Sequence, residues 1–382
     1  MRVPHSPRGD VAIILSGGGA RAAYQVGVLR GLARHLPSAR PVILTGESAG
    51  AINAAYLAAH RGALREAVED LAHFWSQLTA DQLFRVDALS LARNVLRWGT
   101  RLVSGGTGVA PRVRGLLDTD PLRSLLDRTL APANGEIAGI AEKLERGLLK
   151  AIALTTINYS TGQTVTWVQG GQIRDWERPL RRSVATRLTV DHVLASVAVP
   201  FLFPAVRVGD DWHGDGGVRL HAPLSPAIHL GATRILAVST RYRPTLKEAD
   251  RPAIRGYPAP AHVAGILLDA IFLDLIDYDA LVLERLNRLL GKLPREEWGD
   301  LRPVDLLVLR PSQDLEGLAA DCESCLPRGI RFLTRGLGTH ETSRPTFLSL
   351  LMFIPEYLQP LIQIGESDAE ARLQEIAAFL SD

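Results

Sequence analysis

The chain has 382 residues, 46% hydrophobic and 22% charged, the proportions of an ordinary globular protein able to bury a large core. Forty-three basic residues against 41 acidic ones leave a formal charge of +2, too even a balance to argue for a nucleic-acid partner. With only two cysteines and near-average apolar content, a disulfide scaffold, a collagen repeat and a disordered chain are excluded.

Residues Met1–Asp10 hold two arginines and two prolines and no apolar centre, so no signal peptide is expected. Together with the sparse cysteines this favours a reducing, cytoplasmic setting, with peripheral membrane association allowed. Val11–Leu15 is an apolar run that reads as a buried strand, followed at once by Ser16-Gly17-Gly18-Gly19. A helical pattern runs from Ala20 to Leu36 and stops before Pro37. Val42-Ile43-Leu44 is a second apolar run. It leads through Gly46-Glu47-Ser48-Ala49-Gly50 into an Ala-rich helix over Ala51–His60. Strand, turn and helix repeated twice predict a parallel α/β layer.

Residues 64–150 read as helix and loop. Arg93, Arg97 and Arg101 would form a basic stripe on one helix face, and Ser104–Gly108 reads as a loop. Of the basic residues only Lys143, Lys150, Lys247 and Lys292 are lysines; a GC-rich genome explains the arginine excess, and recognition of anionic head groups is the other reading. Asp118-Thr119-Asp120-Pro121 has the form of a capped helix start. Strand signals return at Lys150–Asn158, Thr164–Val168, Ala205–Val208 and Arg234–Thr240. Arg241–Pro260, rich in Pro, Gly and charge, reads as a surface excursion. Ala261–Leu290 reads as one long amphipathic helix. Asp269, Asp274, Asp277 and Asp279 make Val263–Leu283 too polar to cross a bilayer. Val304–Leu309 reads as one more buried strand, which makes the preceding helical stretch an insertion in the sheet. Cys322 and Cys325 form a lone C-x-x-C pair, with no second pair to complete a zinc site. No metal or redox role is expected of it. In the tail, Pro345–Asp382, the apolar stretch Thr346–Ile364 has two readings: a buried helix pair covering the core, or an interfacial or channel surface for lipid.

Two segments carry chemistry. Gly46-Glu47-Ser48-Ala49-Gly50 matches G-x-S-x-G, whose glycines permit a sharp strand-to-helix turn that lifts the serine hydroxyl clear of the backbone. The following helix turns its positive end toward that oxygen. Glu47 reads as structural, because neighbours on such a turn point apart. In Ser16-Gly17-Gly18-Gly19-Ala20-Arg21, consecutive glycines let backbone N–H groups approach an anionic oxygen, as an oxyanion hole requires. Arg21 would brace that loop or add positive charge. Gly17-x-Gly19-x-x-Ala22 also fits a dinucleotide fingerprint. That fingerprint wants an acidic residue at the end of the second strand, and residues 33–45 contain none. A P-loop is excluded because no Gly-Lys-Ser/Thr follows.

A serine nucleophile needs a base. His192, His213, His221 and His229 lie downstream in undistinguished contexts. Asp215 stands in His213-Gly214-Asp215-Gly216-Gly217, just after the strand-like Ala205–Trp212; by itself Asp-Gly reads as a hairpin turn. Ala195-Ser196-Val197-Ala198-Val199-Pro200 reads by itself as a helix ending before a proline.

Taken in order, Gly17–Arg21, Gly46–Gly50, Ala195–Pro200 and Asp215-Gly216-Gly217 resemble the blocks of the patatin-like phospholipase family, over about Val11 to Thr240. The resemblance implies an α/β fold with a mainly parallel central sheet flanked by helices in three layers, and a mostly helical C-terminal extension, as in longer bacterial members. The catalytic region would span residues 9–242. Residues 243–382 would add a helical insertion, a further core strand near 304–310 and C-terminal helices packed on the same domain. It implies a serine lipid acyl hydrolase working through a Ser–Asp dyad, with Ser48 as nucleophile and Asp215 as base. The backbone of Gly17, Gly18 and Gly19 would form the oxyanion hole, with Arg21 supporting it. One departure is Ala22, where many members have glycine. The implied substrate is a lipid or acyl ester, with no cofactor, metal or nucleic acid, and the need for a protein activator is left open. Rival readings are an acyltransferase using the same serine, a catalytically silent lipid- or partner-binding module, and the dinucleotide oxidoreductase.

Overall fold

In a computed structural model, the described residues are 9–37, 39–85, 96, 100, 115–171, 175–254, 256–272, 275–342 and 344–381. The arginine stripe at 93, 97 and 101 and the loop at 104–108 lie outside them.

Val11–Leu15 (β1) is buried along its whole length, as a central parallel strand covered on both faces must be. It pairs in parallel with Ile43–Glu47 (β2) on one side and Arg234–Val238 (β9) on the other. Ala151–Asn158 (β3) continues the sheet in parallel beyond β2, and Asp305–Leu309 (β10) extends it in parallel beyond β9. Thr164–Gly170 (β4) turns antiparallel against β3, followed by Arg181–Ala185 (β6) and the short edge strand Glu177–Arg178 (β5). The order is β10-β9-β1-β2-β3-β4-β6-β5, a mostly parallel mixed sheet with helices on its faces.

The period-2 alternation of a strand divides the interior into two cores. Ile13 and Leu15 face the core built with Ala23–His35 (α1) and Ala49–Ala59 (α2). Ala12 and Ile14 face the other, with Leu224, Ala227 and Leu283.

Four further helices matter for the site: Val190–Ser196 (α3), Pro260–Phe272 (α4), Leu315–Asp321 (α5) and Thr346–Leu351 (α6). A fifth, Pro355–Ala371 (α7), lies against α1 at backbone distance. A Cβ on Gly27 would come within 1.9 Å of the Ile362 carbonyl oxygen. Leu348, Met352, Leu358 and Leu361 are all buried. Thr346–Ile364 is thus a buried helix pair, which leaves open whether part of it also borders a cavity. Among the described residues no helix is long and apolar enough to cross a membrane.

Two expected elements divide. The helix over Ala261–Leu290 is two helices, α4 and Leu275–Leu290. The strand-like Ala205–Trp212 is a hairpin, Val206–Val208 (β7) against Asp211–Asp215 (β8), turning at Gly209 with φ 61°. The turn thus comes before Asp215, and Asp215-Gly216 is the exit from a strand into a 3-10 turn.

Candidate active site

One register detail builds the site. β2 ends at Glu47, opposite Thr155 of β3. β8 ends at Asp215, opposite Thr156 of the same strand. The far edge of β3 is occupied by β4 from Ala151 to Ile157. β2 and β8 therefore share the remaining edge, run toward each other, and stop on adjacent positions. Ser48 leaves one strand where Asp215 ends the other.

Ser48 sits at φ 50°, ψ −132°, a conformation that costs a non-glycine residue about 1–3 kcal/mol. The turn is tight enough that a Cβ on Gly50 would lie 2.1 Å from the Leu15 carbonyl oxygen. The Ser48 N–H donates to Ser196 Oγ at 3.1 Å, and the Ser196 hydroxyl donates to the Thr155 carbonyl at 2.8 Å. Ser196, at the end of α3, thus fills the gap where β2 leaves β3. The Asp215 N–H donates to the Ala198 carbonyl at 2.9 Å. This gives Ala195–Pro200 its physical role: it clamps both strand ends.

Asp215 is 0% exposed, and its Oδ1 accepts the Gly217 N–H at 3.0 Å. The Ser48 hydroxyl bears on the carboxyl, while Oδ2 closes no hydrogen bond of ordinary geometry among the described residues. Burial pushes the Asp215 pKa up to about 7, with the Ser48 hydroxyl and the Gly217 amide holding it back. Glu47 is also buried, and its Oε1 accepts the Gly17 N–H at 3.3 Å. Burial first, and then the Asp215 charge, push Glu47 up to about 8.

The glycine loop takes backbone angles that need glycine: φ is 150° at Gly18 and 56° at Gly19. A Cβ on Gly19 would meet the Leu350 carbonyl oxygen at 2.3 Å. The Gly17 carbonyl accepts the Thr240 hydroxyl at 2.7 Å, and its amide is committed to Glu47. Gly18 and Gly19, not Gly17, line the cavity with Ser48. Of the three glycines expected to supply donors, Gly18 and Gly19 thus border the cavity, whereas the Gly17 amide bonds Glu47.

Arg21 is 1% exposed. Its guanidinium meets Glu316 of α5 at 2.7 Å and Asp269 of α4 at 3.5 Å. The Thr346 hydroxyl of α6 bonds Glu316 at 2.8 Å and Asp269 at 3.2 Å. Burial works against the Arg21 charge, but the two carboxylates outweigh it and raise its pKa. The glycine loop is thereby tied to three C-terminal helices by one buried ion cluster.

Three of the four downstream histidines are committed elsewhere, and His221 lies exposed on the surface. His213 Nδ1 lies 3.0 Å from Thr156 Oγ1 beneath Trp167, His192 bonds Thr189 at the start of α3, and His229 stacks on Trp176. Above Ser48 opens a cavity of about 690 Å3 including its mouth. Its polar lining is Gly18, Gly19 and Ser48; the rest is aliphatic and aromatic. Leu268, Leu350, Leu351 and Phe353 close one wall; the last three fall in the stretch that sequence read as either a buried helix pair or a lipid surface or channel, and Leu268 was not singled out. Two signals were available: a single carboxylate, Asp269, in an otherwise apolar helix, and the apolar stretch after Pro345.

A family model, patatin-like phospholipase, matches residues 13–228, more than half of the sequence. The chain belongs to the patatin-like phospholipase family. Comparison with curated protein sequences finds no match. Solved structures do match at low identity. The human GIVD cytosolic phospholipase A2 is 12% identical with TM-score 0.47, covering 98% of this chain and 60% of that one. VipD from Legionella pneumophila is 14% identical with TM-score 0.34, covering 80% and 62%. The type III effector ExoU is 16% identical with TM-score 0.38, covering 97% and 54%. The chain thus spans less than two thirds of the length of these proteins. Lipid hydrolysis is the chemistry of the family, and the sheet with its helical C-terminal region is the patatin-like α/β fold.

Proposed function

We propose that this protein is a serine lipid acyl hydrolase acting through a Ser48–Asp215 dyad. The observation that most supports this reading is a strained Ser48 that lines an apolar cavity and bears on a fully buried Asp215 behind it. The Asp215 carboxylate takes the Ser48 proton as Ser48 Oγ attacks the ester carbonyl. An ordinary aspartate, with a pKa of about 3.9, is a weak base for a hydroxyl; one pushed up to about 7 is far better matched to work near neutrality. The tetrahedral oxyanion is held by the Gly18 and Gly19 amides and the N-terminal end of α2, where loss of one donor typically costs about 10²–10³ in rate. Asp215 returns its proton to the departing alcohol. It then draws a proton from water, which attacks the acyl-Ser48 carbonyl; the fatty acid leaves and Ser48 regains its proton. The long acyl chain lies in the cavity between Ile52, Leu268 and Phe353. The substrate is a long-chain lipid ester, and the protein works at a membrane surface.

Labelling with a long-chain fluorophosphonate tests this without any choice of head group. The expected result is a single adduct on Ser48, absent in Ser48→Ala. Because Asp215 must be ionised to act as a base, the labelling rate should climb as pH rises through about 7 and level off above it. No adduct in the presence of vesicles, or a rate that does not change between pH 5 and 9, as probe settings, would sink the dyad.

A further inference from the structure

The helix α4 has two faces of different character. Inward, Leu268 walls the Ser48 cavity, Asp269 meets Arg21, and Gly265 packs on Thr346 of α6. Outward, Pro260, Val263, Ile266, Leu267 and Ala270 are all exposed. At helical spacing these fall on one side. Ile266 is 57% and Leu267 58% exposed, and no charged or polar side chain interrupts the stripe. A helix on the surface of a water-soluble assembly normally turns charge outward; this one turns hydrocarbon. The segment leading into it adds Leu246 and Tyr257, exposed by 87% and 94%. Arg243, Lys247 and Arg251 are exposed there and pair with no carboxylate among the described residues.

We propose that the outer face of α4 is the surface by which this protein docks on an anionic lipid bilayer. The purpose rests on the lipid-hydrolase reading, since the same helix supplies a wall of the acyl cavity. Free cations beside exposed aliphatic and aromatic groups are the composition of an interfacial helix, apolar groups entering the acyl boundary and basic ones meeting lipid phosphates. A second copy of the chain fits less well. A two-fold contact on this face would bury Arg243, Lys247 and Arg251 of both copies, with Asp250 the one exposed carboxylate of that segment.

The test measures binding and not turnover. Full-length Ser48→Ala protein is sedimented with phosphatidylcholine vesicles, with and without phosphatidylglycerol. The expected result is co-sedimentation that is stronger with phosphatidylglycerol and weakens as salt is raised. Ile266→Glu/Leu267→Glu, made in the same background, should lower the partition coefficient roughly ten-fold or more. The milder Leu267→Ser should lower it by less. In the Ser48 background the same substitutions should leave hydrolysis of a short, water-soluble ester within about two-fold, because neither residue lines the cavity. Equal partitioning of variant and parent would overturn the proposal. So would a dimer in vesicle-free solution that the double substitution splits, which would assign the face to a second copy. Vesicle binding by a protein that never forms the Ser48 adduct would keep the docking surface and remove the hydrolase reading.

Discussion

Asp215→Asn is expected to stop ester hydrolysis and to make the protein more stable at pH 8. Loss of a general base costs about 10²–10⁴ in rate, and the amide also leaves the Ser48 hydroxyl without an acceptor that can become its proton carrier. The stability effect comes from the same burial. The unfolded chain releases the Asp215 proton near pH 4, at about 3.9, whereas the folded chain keeps it until about pH 7. Between those values the folded state binds more protons, so stability falls as pH rises from about 4 to about 7 and stays reduced above. The amide carries no charge to bury. D215N should therefore unfold later than the parent at pH 8, by a margin on the order of a few kcal/mol, and the gap should close toward pH 4. Glu47 strengthens the expectation, because the Asp215 charge helps push it up as well. Urea unfolding at pH 4 and pH 8 reads the margin directly. Near-parental hydrolysis by D215N would remove Asp215 from the reaction, and a variant less stable than the parent at pH 8 would mean that its carboxylate is well solvated.

Arg21→Met is expected to be the most damaging single change outside the reacting groups. It leaves Glu316 and Asp269 facing a buried position without their shared cation. Breaking a buried ion pair from one side typically costs about 3–5 kcal/mol. Because Asp269 is partly open to solvent, the lower end applies. Burial already raises the Glu316 pKa against the pull of Arg21. Without Arg21 it should rise further, and a carboxyl whose pKa is raised on folding costs stability once pH exceeds its unfolded value. The deficit of R21M should therefore grow from acid to neutral pH. Arg21→Lys should recover only part of it, since an ammonium cannot span both carboxylates as a guanidinium fork does. Thermal unfolding across pH checks this. A loss below about 1 kcal/mol, flat with pH, would mean that the cluster is hydrated and does not bind the C-terminal helices to the glycine loop. R21M should also label more slowly with the fluorophosphonate, because the loop bearing Gly18 and Gly19 loses its anchor on α4 and α5.

Much of the site's chemistry was legible as local pattern. Ser48 stands on a strand-to-helix turn because G-x-S-x-G follows an apolar strand, and the positive φ angles of Gly18 and Gly19 belong to residues without a Cβ. These are short-range steric facts, decided within a few residues. The Arg21 ion cluster was not legible. Its partners lie in α4 and α5, and nothing in the spacing of Asp269 or Glu316 says which cation they meet. The same holds for the cavity above Ser48: the stretch with Leu350, Leu351 and Phe353 left a core and a lipid reading open, and Leu268 read only as part of a helix. The bond made by the Gly17 amide was not legible for a similar reason. It had to be seen against Glu47 of the neighbouring strand.

Sequence by itself determined the parallel α/β layer, the elbow and the glycine turn, because strand periodicity, glycine sterics and helix starts act over a few residues, whereas Asp215 as candidate base came from the resemblance of the ordered blocks. The tertiary structure decided that Ser48 and Asp215 come together at adjacent strand ends. Two strands, β2 and β8, compete for one edge of β3 and halt at Thr155 and Thr156. Which strands meet on an edge is fixed by burial and hydrogen bonding across the whole sheet. For that reason the distance from a nucleophile to its base is a property of the fold, whereas the identity of each is a property of the chain.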